Sequence, residues 1–369
     1  MGFSQIRYYQ FRNIADGILA FDAKQIFFVG DNGQGKTNLL ESFYILCYGS
    51  TFRTNRDSLL IRSGKSECSL TGTAGTDDHG ELAIRFALQN SLKSIHVNGS
   101  PVQDRKDLIH NLPCIVFCHD DIDFVSGPPE RRRWFFNQTL SLYDELFIDV
   151  LRRYTRILKN RNVAVREDNG DMIDVLDEQL AHTGRELQVQ REHAVERFSA
   201  TFEQLYHHIS GFDEPLQVRY RPSWRDLDSV ESVVKELRSR RATDYTMGTT
   251  TSGPHRDRFR FEMNGKDFTE TASTGQLRLI SLILRVAQAR FFSGRSGRKP
   301  VLLLDDVMLE LDPTRRKRFF DALPDYDQAV FTFLPDEQFS SLAGDDTLLY
   351  RVKAGHAYGE SGSASTRSV

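Results

Sequence analysis

The sequence predicts an α/β fold in which a mixed sheet carries a phosphate-binding loop, with an antiparallel β subdomain and an inserted, mainly helical second lobe. Three observations predict it. A glycine-rich loop joins an apolar strand to a helix near residue 30, and the apolar run "VLLLDD" near residue 305 ends in two aspartates. Between them lies a long stretch that turns from alternating apolar residues to helical stripes.

Composition sets the frame. A chain of 369 residues suits about two to three domains. With 39% hydrophobic and 27% charged residues it reads as an ordinary soluble chain. No run reaches the roughly 18 apolar residues of a membrane span. The opening "MGFSQIRYYQFRNI" carries Arg7 and Arg12 and lacks the apolar core of a signal peptide, so the expected location is the cytoplasm, without a membrane partner. A net charge of -3 gives no global attraction to nucleic acid, so any such binding must come from a local patch.

The first element is "IFFVGDNGQGKTNLLESFYIL". It reads as a buried strand over Ile26 to Val29, a loop, and a helix with Leu39, Leu40, Phe43, Ile45 and Leu46 as apolar residues. The loop fits G-x-x-x-x-G-K-[ST] with Gly30, Gly35, Lys36 and Thr37. Glycines let backbone N–H groups close on phosphates, Lys36 reaches the β- and γ-phosphates, and the Thr37 hydroxyl ligates Mg²⁺. The expected nucleotide set is Gly30, Asp31, Asn32, Gly33, Gln34, Gly35, Lys36, Thr37 and Asn38, with Lys36 also catalytic.

Residues 66 to 102 come next. "ECSLTGTA", "GELAIRFAL" and "LKSIHVNGSPV" alternate as short strands, with Asn98-Gly99 as a hairpin signal. In "CIVFCH", Cys114, Cys118 and His119 lack the spacing of a zinc knuckle, and alternation puts Cys114, Val116 and Cys118 on one buried face. Four cysteines make no disulfide framework.

Two stripes then follow at helical spacing. Tyr143, Phe147, Val150, Tyr154 and Ile157 form one, and Val195, Phe198, Phe202, Leu205 and Ile209 the other. With Asn169-Gly170 as a turn between them, they read as a short antiparallel helical hairpin, and equally as core faces of a helical lobe. From Arg131 to Arg166, nine basic residues face three acidic ones. Arg131, Arg132, Arg152, Arg153, Arg156 and Lys159 are the candidates for tracking DNA phosphates, with a solvated helix face as the alternative. Arg131 to Arg133 could also pair acids structurally, and His255 in "TSGPHRD" reads either as a nucleotide sensor or as a core histidine.

The stretch "ETASTGQLRLISLILR" opens a further helix with Ser273, Thr274, Gly275 and Gln276, a second helix start suited to an anion. Val301 to Leu304 suits a central parallel strand. At its end Asp305 would hold Mg²⁺ through water, and Asp306 would orient or deprotonate an attacking water. The last residues, "KAGHAYGESGSASTRSV", are small, polar and aperiodic and are expected to be a disordered tail outside the ATPase function.

These motifs resemble ABC-type ATPases, whose head binds ATP and Mg²⁺. In that family a serine-x-glycine-glutamine signature opens a helix and caps the γ-phosphate of ATP held by another protomer, which Ser273, Gly275 and Gln276 match. One loop and one signature per chain imply a two-fold, ATP-dependent homodimer with two shared sites. From Lys36 to Ser273 the chain runs 237 positions, longer than transporter ATPases typically use, and "STGQ" departs from their "LSGGQ".

In order, "FRNI", "GDNGQGKTNLLESFYIL", "TFRTNRDSLLIRSG", "VNG", "GPPERRRWFFN", "TSGPHRD", "STGQLR" and "LLLDDVMLELD" resemble the RecF family over nearly all of the chain. The resemblance implies a weak, DNA-stimulated ATPase acting as a DNA clamp in recombinational gap repair and replication restart. It also implies binding to single-stranded and duplex DNA at gaps or junctions, work with RecR, RecO and RecA, and support of SOS induction. Another SMC- or Rad50-like head is the alternative. Leu309 stands where the family has a serine, Asp306 stands where many ABC ATPases have glutamate, and Thr332 in "VFTFLPDE" is the candidate for the switch position. The expected division is 1–128 for the first part of the ATPase lobe, 129–245 for the helical lobe, 246–352 for the second part and 353–369 for the tail.

Overall fold

The computed structural model describes residues 2–54, 56–75, 80–90, 92–307, 311–337 and 339–359. The described residues form two compact units, one from residues 1–120 with those after 291, the other from residues 121–291.

The first unit opens with β1 (Gly2–Tyr9), β2 (Gly17–Ala20), β3 (Gln25–Val29) and α1 (Lys36–Tyr48). It continues through β4 (Glu67–Gly75), β5 (Glu81–Gln89), β6 (Leu92–Val97), β7 (Ser100–Pro101), α2 (Lys106–Asn111) and β8 (Cys114–Phe117). The second unit holds α3 (Pro129–Ser141), α4 (Glu145–Arg166), α5 (Gly170–Ser210), β9 (Leu216–Arg221), α6 (Val230–Ser239), α7 (Arg241–Met247), β10 (Arg258–Met263) and β11 (Lys266–Asp267). Helix α8 (Thr274–Ser296) leads back to the first unit, which ends with β12 (Val301–Leu304), α9 (Pro313–Ala322), β13 (Gln328–Phe333), β14 (Thr347–Lys353) and β15 (His356–Gly359).

Two six-stranded sheets build the first unit. One is antiparallel, in the order β2-β1-β4-β5-β6-β7, and takes in the alternating strands read at 66 to 102. The other runs β15-β14-β3-β13-β12-β8, parallel except for β15. Its strands β8, β12 and β13 are buried along their whole length, as expected where both faces are covered. Cys114, Ile115, Val116 and Phe117 are therefore all buried, where alternation predicted one buried face. Phe27, Phe331 and Phe333 interlock within this sheet at centroid distances of 5.1 to 5.9 Å.

In the second unit the two stripes lie on α4 and α5. Helix α4 runs on to Arg166 and α5 begins at Gly170, so most of "KNRNVAVREDNGDMID" is helical and only 167–169 turns the chain. At 41 residues, α5 spans about 60 Å. Asn169 caps it by accepting from the Met172 N–H. Phe147, Val150, Tyr154 and Ile157 pack with Ile173, Leu180, Leu187, Trp224 and Leu237 into one core, so the first stripe is a core face. Val195, Phe198, Phe202, Leu205 and Ile209 are also buried.

Three expected boundaries move, the first because residues 121–128, expected in the ATPase lobe, belong to the helical unit. The residues from 246 to 291, with the signature, belong to the helical unit. Their anchor is polar: Arg285 of α8 donates to Asp121 at 2.7 Å, and Gln288 donates to Thr139 at 2.9 Å. The third correction concerns the end of the chain. Lys353 closes β14 and His356–Gly359 form β15, so 353–359 is a hairpin, while 360–369 lies outside the described residues. Leu309 also lies outside them.

Candidate functional site: a nucleotide cradle at the strand ends

Strands β3, β12 and β13 end side by side, and the glycine loop leaves β3 at Val29. Each glycine of the motif has its own reason. A Cβ on Gly30 would sit 2.3 Å from the Val352 carbonyl oxygen. Gly33 and Gly35 have φ of +76° and +113°, a region that other residues rarely enter. Gly35 is the N-cap of α1, whose first N–H groups have no acceptor within the helix. Lys36 is buried, with its ammonium donating to the carbonyls of Gly30 at 2.8 Å and Asp31 at 3.3 Å. Its charge therefore lies along the loop.

The Thr37 hydroxyl donates to Asp305 Oδ1 at 2.9 Å, joining two motifs 268 positions apart. Burial, then the neighbouring Asp306, pushes the Asp305 carboxyl up to about 6. The Thr37 hydroxyl and Asp305 carboxylate are hard oxygen donors held together, a set that fits Mg²⁺. Asn38 donates to Asn13 at 2.7 Å and accepts from Arg53 at 2.9 Å. Arg53 also favours the charged form of Asp305.

Sequence reading gave Thr332 only a general place at the switch position. In the structure its hydroxyl oxygen accepts from the Asp306 N–H at 2.8 Å and lies 3.1 Å from Asp305 Oδ1 and 2.8 Å from Asp306 Oδ1. Asp306 has a φ of +51°, unusual for a residue with a side chain. A threonine near the end of the mainly apolar strand Gln328–Phe333 was the available signal. The hairpin brace gave no such signal. Ala354 N–H donates to the Gln34 side chain at 2.7 Å and Gly355 N–H to the Gln34 carbonyl at 2.9 Å, so the segment expected to stand apart from the ATPase lobe supports its loop.

Ser273, Gly275 and Gln276 lie in the other unit, at the start of α8. Ser273 N–H donates to Gln276 Oε1 at 2.8 Å, and Gln276 N–H donates to Ser273 Oγ at 3.3 Å, a reciprocal capping box. Gly275 is exposed, and a Cβ there would meet no atom of the described residues within 4 Å. Those residues give no steric reason for a glycine.

The basic candidates divide. Arg132 donates to the Phe259 carbonyl at 3.1 Å and Arg133 to the Asp257 carbonyl at 2.9 Å, while Arg131 stacks over Phe124 and Trp134. These three tie the helical unit together. Arg152, Arg153, Arg156 and Lys159 lie on the exposed face of α4, with Arg153 paired to Glu186 at 3.0 Å. His255 is half-buried and held at both ring nitrogens: Nε2 donates to the Thr250 carbonyl at 2.9 Å, leaving Nδ1 to accept from Tyr154 at 2.7 Å.

The fold and this cradle define an ATPase head of the ABC and SMC type. A family described as the RecF/RecN/SMC N terminal domain matches residues 3–352. The DNA replication and repair protein RecF of Treponema pallidum is 40% identical over 94% of this chain and 97% of its own length. RecF of Alkaliphilus oremlandii is 32% identical over 95% and 98%. A solved structure of the recombination mediator protein RecF with ATP, in the RecFOR pathway, superposes with a TM-score of 0.88 at 27% identity, covering 98% of each chain. An SMC head bound to the C-winged helix domain of ScpA, at 16% identity and a TM-score of 0.58, shares the fold. The chain belongs to the RecF family.

Proposed function

We propose that this protein is an ATP-dependent DNA-binding ATPase of recombinational gap repair and replication restart. ATP binds along Gly30–Thr37, with Lys36 against its β- and γ-phosphates. Mg²⁺, held by Thr37 and by Asp305 through water, offsets phosphate charge when bound. Asp306 orients the attacking water, and its short side chain matches slow turnover.

The observation that carries this reading is the 2.9 Å bond from Thr37 to Asp305, which joins the loop and the acidic strand end in one site. Ser273, Gly275 and Gln276 of a second copy then close over the γ-phosphate, so that ATP makes the dimer. An exposed glycine with empty space where a Cβ would stand supports a close approach from outside the chain. The dimer grips single-stranded or duplex DNA at gaps or junctions, in part through Arg152, Arg153, Arg156 and Lys159. DNA stimulates its hydrolysis, and with RecR and RecO it helps load RecA and supports SOS induction, in the cytoplasm. The relatives' names and the RecFOR pathway support that assignment.

Molar mass in solution tests it. ATP, and not ADP, is expected to double the mass of the unsubstituted protein, with Lys36→Ala and Ser273→Arg remaining monomeric. A mass independent of ATP would remove the shared site from the proposal.

A further inference from the structure

Strands β9 and β10 present two unlike faces. Phe259 stacks on Phe136 at 4.2 Å and Phe261 meets Phe202 at 5.9 Å, so one face packs on α3 and α5. The other face carries Arg219, Arg221, Arg258 and Arg260, with Gln217 and Glu262 paired at its end. Arg258 stands directly opposite Arg221, and Arg260 directly opposite Arg219. Like charges facing each other across a ladder destabilise a sheet, and here two such pairs stand side by side.

Internal neutralisation is partial. Arg221 pairs with Glu262 at 3.0 Å, and Arg219 donates to the neutral Gln217. Among the described residues, Arg258 and Arg260 have no carboxylate within ion-pair distance. The face continues into an open cleft of about 720 Å³, to which Arg185 and Arg225 contribute. Five guanidiniums line that cleft, against the carboxylates of Glu192, Asp226 and Asp228, and no lysine does.

We propose that this arginine face is a second DNA-contacting surface of the helical unit, taking the sugar-phosphate backbone. The planar guanidinium fork matches phosphate oxygens two at a time. Successive arginines on one strand face stand about 6.8 Å apart, so the four form a fixed array. The cleft offers no platform for bases: Trp224 is fully buried and the Tyr220 hydroxyl is tied to Asp257. Contact is therefore with the backbone and independent of sequence. The inference rests on the DNA-binding reading above and adds a surface to it.

The experiment measures binding of a labelled 30-base-pair random-sequence duplex to the full chain with ATP, over a range of salt, alongside thermal unfolding. Arg258→Gln/Arg260→Gln is expected to weaken binding roughly 10- to 100-fold and to reduce the slope of log K against log salt by about two. Its melting temperature should be no lower than that of the unsubstituted protein, because like-charge pairs have been removed. Arg258→Lys/Arg260→Lys should keep most of the slope, and Arg156→Gln/Lys159→Gln on α4 sets the comparison. Unchanged affinity and slope in the glutamine variant, with the unsubstituted protein still binding, would overturn the inference alone. Loss of affinity for a polyglutamate peptide in place of DNA would assign the face to an acidic protein partner and overturn it too. No duplex binding by the unsubstituted protein removes the DNA reading itself, and this surface with it.

Discussion

Asp306 owes its place to one hydroxyl. Its left-handed backbone costs about 1–3 kcal/mol, and the Thr332 oxygen, accepting from the Asp306 N–H at 2.8 Å, helps to hold it there. The same hydroxyl has one proton for two carboxylates. Thr332→Val keeps the shape and removes all three contacts. If Asp306 orients water, kcat for ATP should fall about 10- to 100-fold with KM little changed, and Thr332→Ser should retain most of the activity. Steady-state hydrolysis reads both parameters, and an equal loss in the serine variant would move the role from hydroxyl to methyl. His255 makes a different single-residue prediction. Burial holds its imidazole down to about 4, against about 6.5 in an unfolded chain. Between those values the unfolded chain binds a proton that the folded one refuses, so stability drops as pH falls from about 6.5 to 4, by up to about 3 kcal/mol. Asp305, raised to about 6, acts in the opposite sense, so the useful quantity is the difference from a variant. His255→Gln should lose this part of the pH slope in chemical unfolding between pH 4.5 and 7.

At the scale of elements, the hairpin of β14 and β15 turns a strand pair into a brace for the nucleotide loop. Its turn puts Ala354 and Gly355 at φ of +48° and +79°. A Cβ on Gly355 would stand 1.8 Å from the Asn13 carbonyl oxygen. Gly355→Ala should therefore cost about 2–4 kcal/mol in thermal unfolding and weaken binding of a fluorescent ATP analogue, since Gln34 loses its partner. The same hairpin shows why parts of the fold were not legible. A two-residue turn with both φ positive is usually announced by Asn-Gly or Asp-Gly, and Ala-Gly is a weak signal. What makes His356–Gly359 a strand is pairing with β14, a tertiary fact. The boundary within α8 escaped for a related reason, because Arg285 and Gln288 bond to Asp121 and Thr139 at the far end of the sequence interval. By contrast, β3, β12, α1 and the α4 stripe were legible, each fixed by a local apolar period. The meeting of Thr37 with Asp305 was legible because phosphate and metal chemistry restricts which residue types are expected together. Thr332 was legible only as a switch candidate, because its bonding to both aspartates leaves no spacing to read.

For the whole molecule, the shared site proposed above would make ATP and a second copy each other's effectors. ATP can favour the dimer only by binding it more tightly than the monomer, and such coupling is reciprocal, so under this proposal dimer formation tightens ATP binding by the same factor and apparent affinity rises with protein concentration. Gly275 separates this coupling from folding. It occupies the first turn of α8 inside the Ser273–Gln276 box, where glycine costs about 1 kcal/mol relative to alanine and where its own chain leaves space for a Cβ. Gly275→Leu should thus fold as well as the unsubstituted protein or slightly better. If a second copy's phosphates approach this backbone, the same substitution should block the ATP-dependent doubling of mass, and its ATP dissociation constant should no longer vary with protein concentration. Ultracentrifugation with thermal unfolding reads both sides. Retained dimerisation in a well-folded Gly275→Leu protein would mean that the start of α8 stays clear of the second copy, leaving the loop and its acidic strand end as a site complete within one chain.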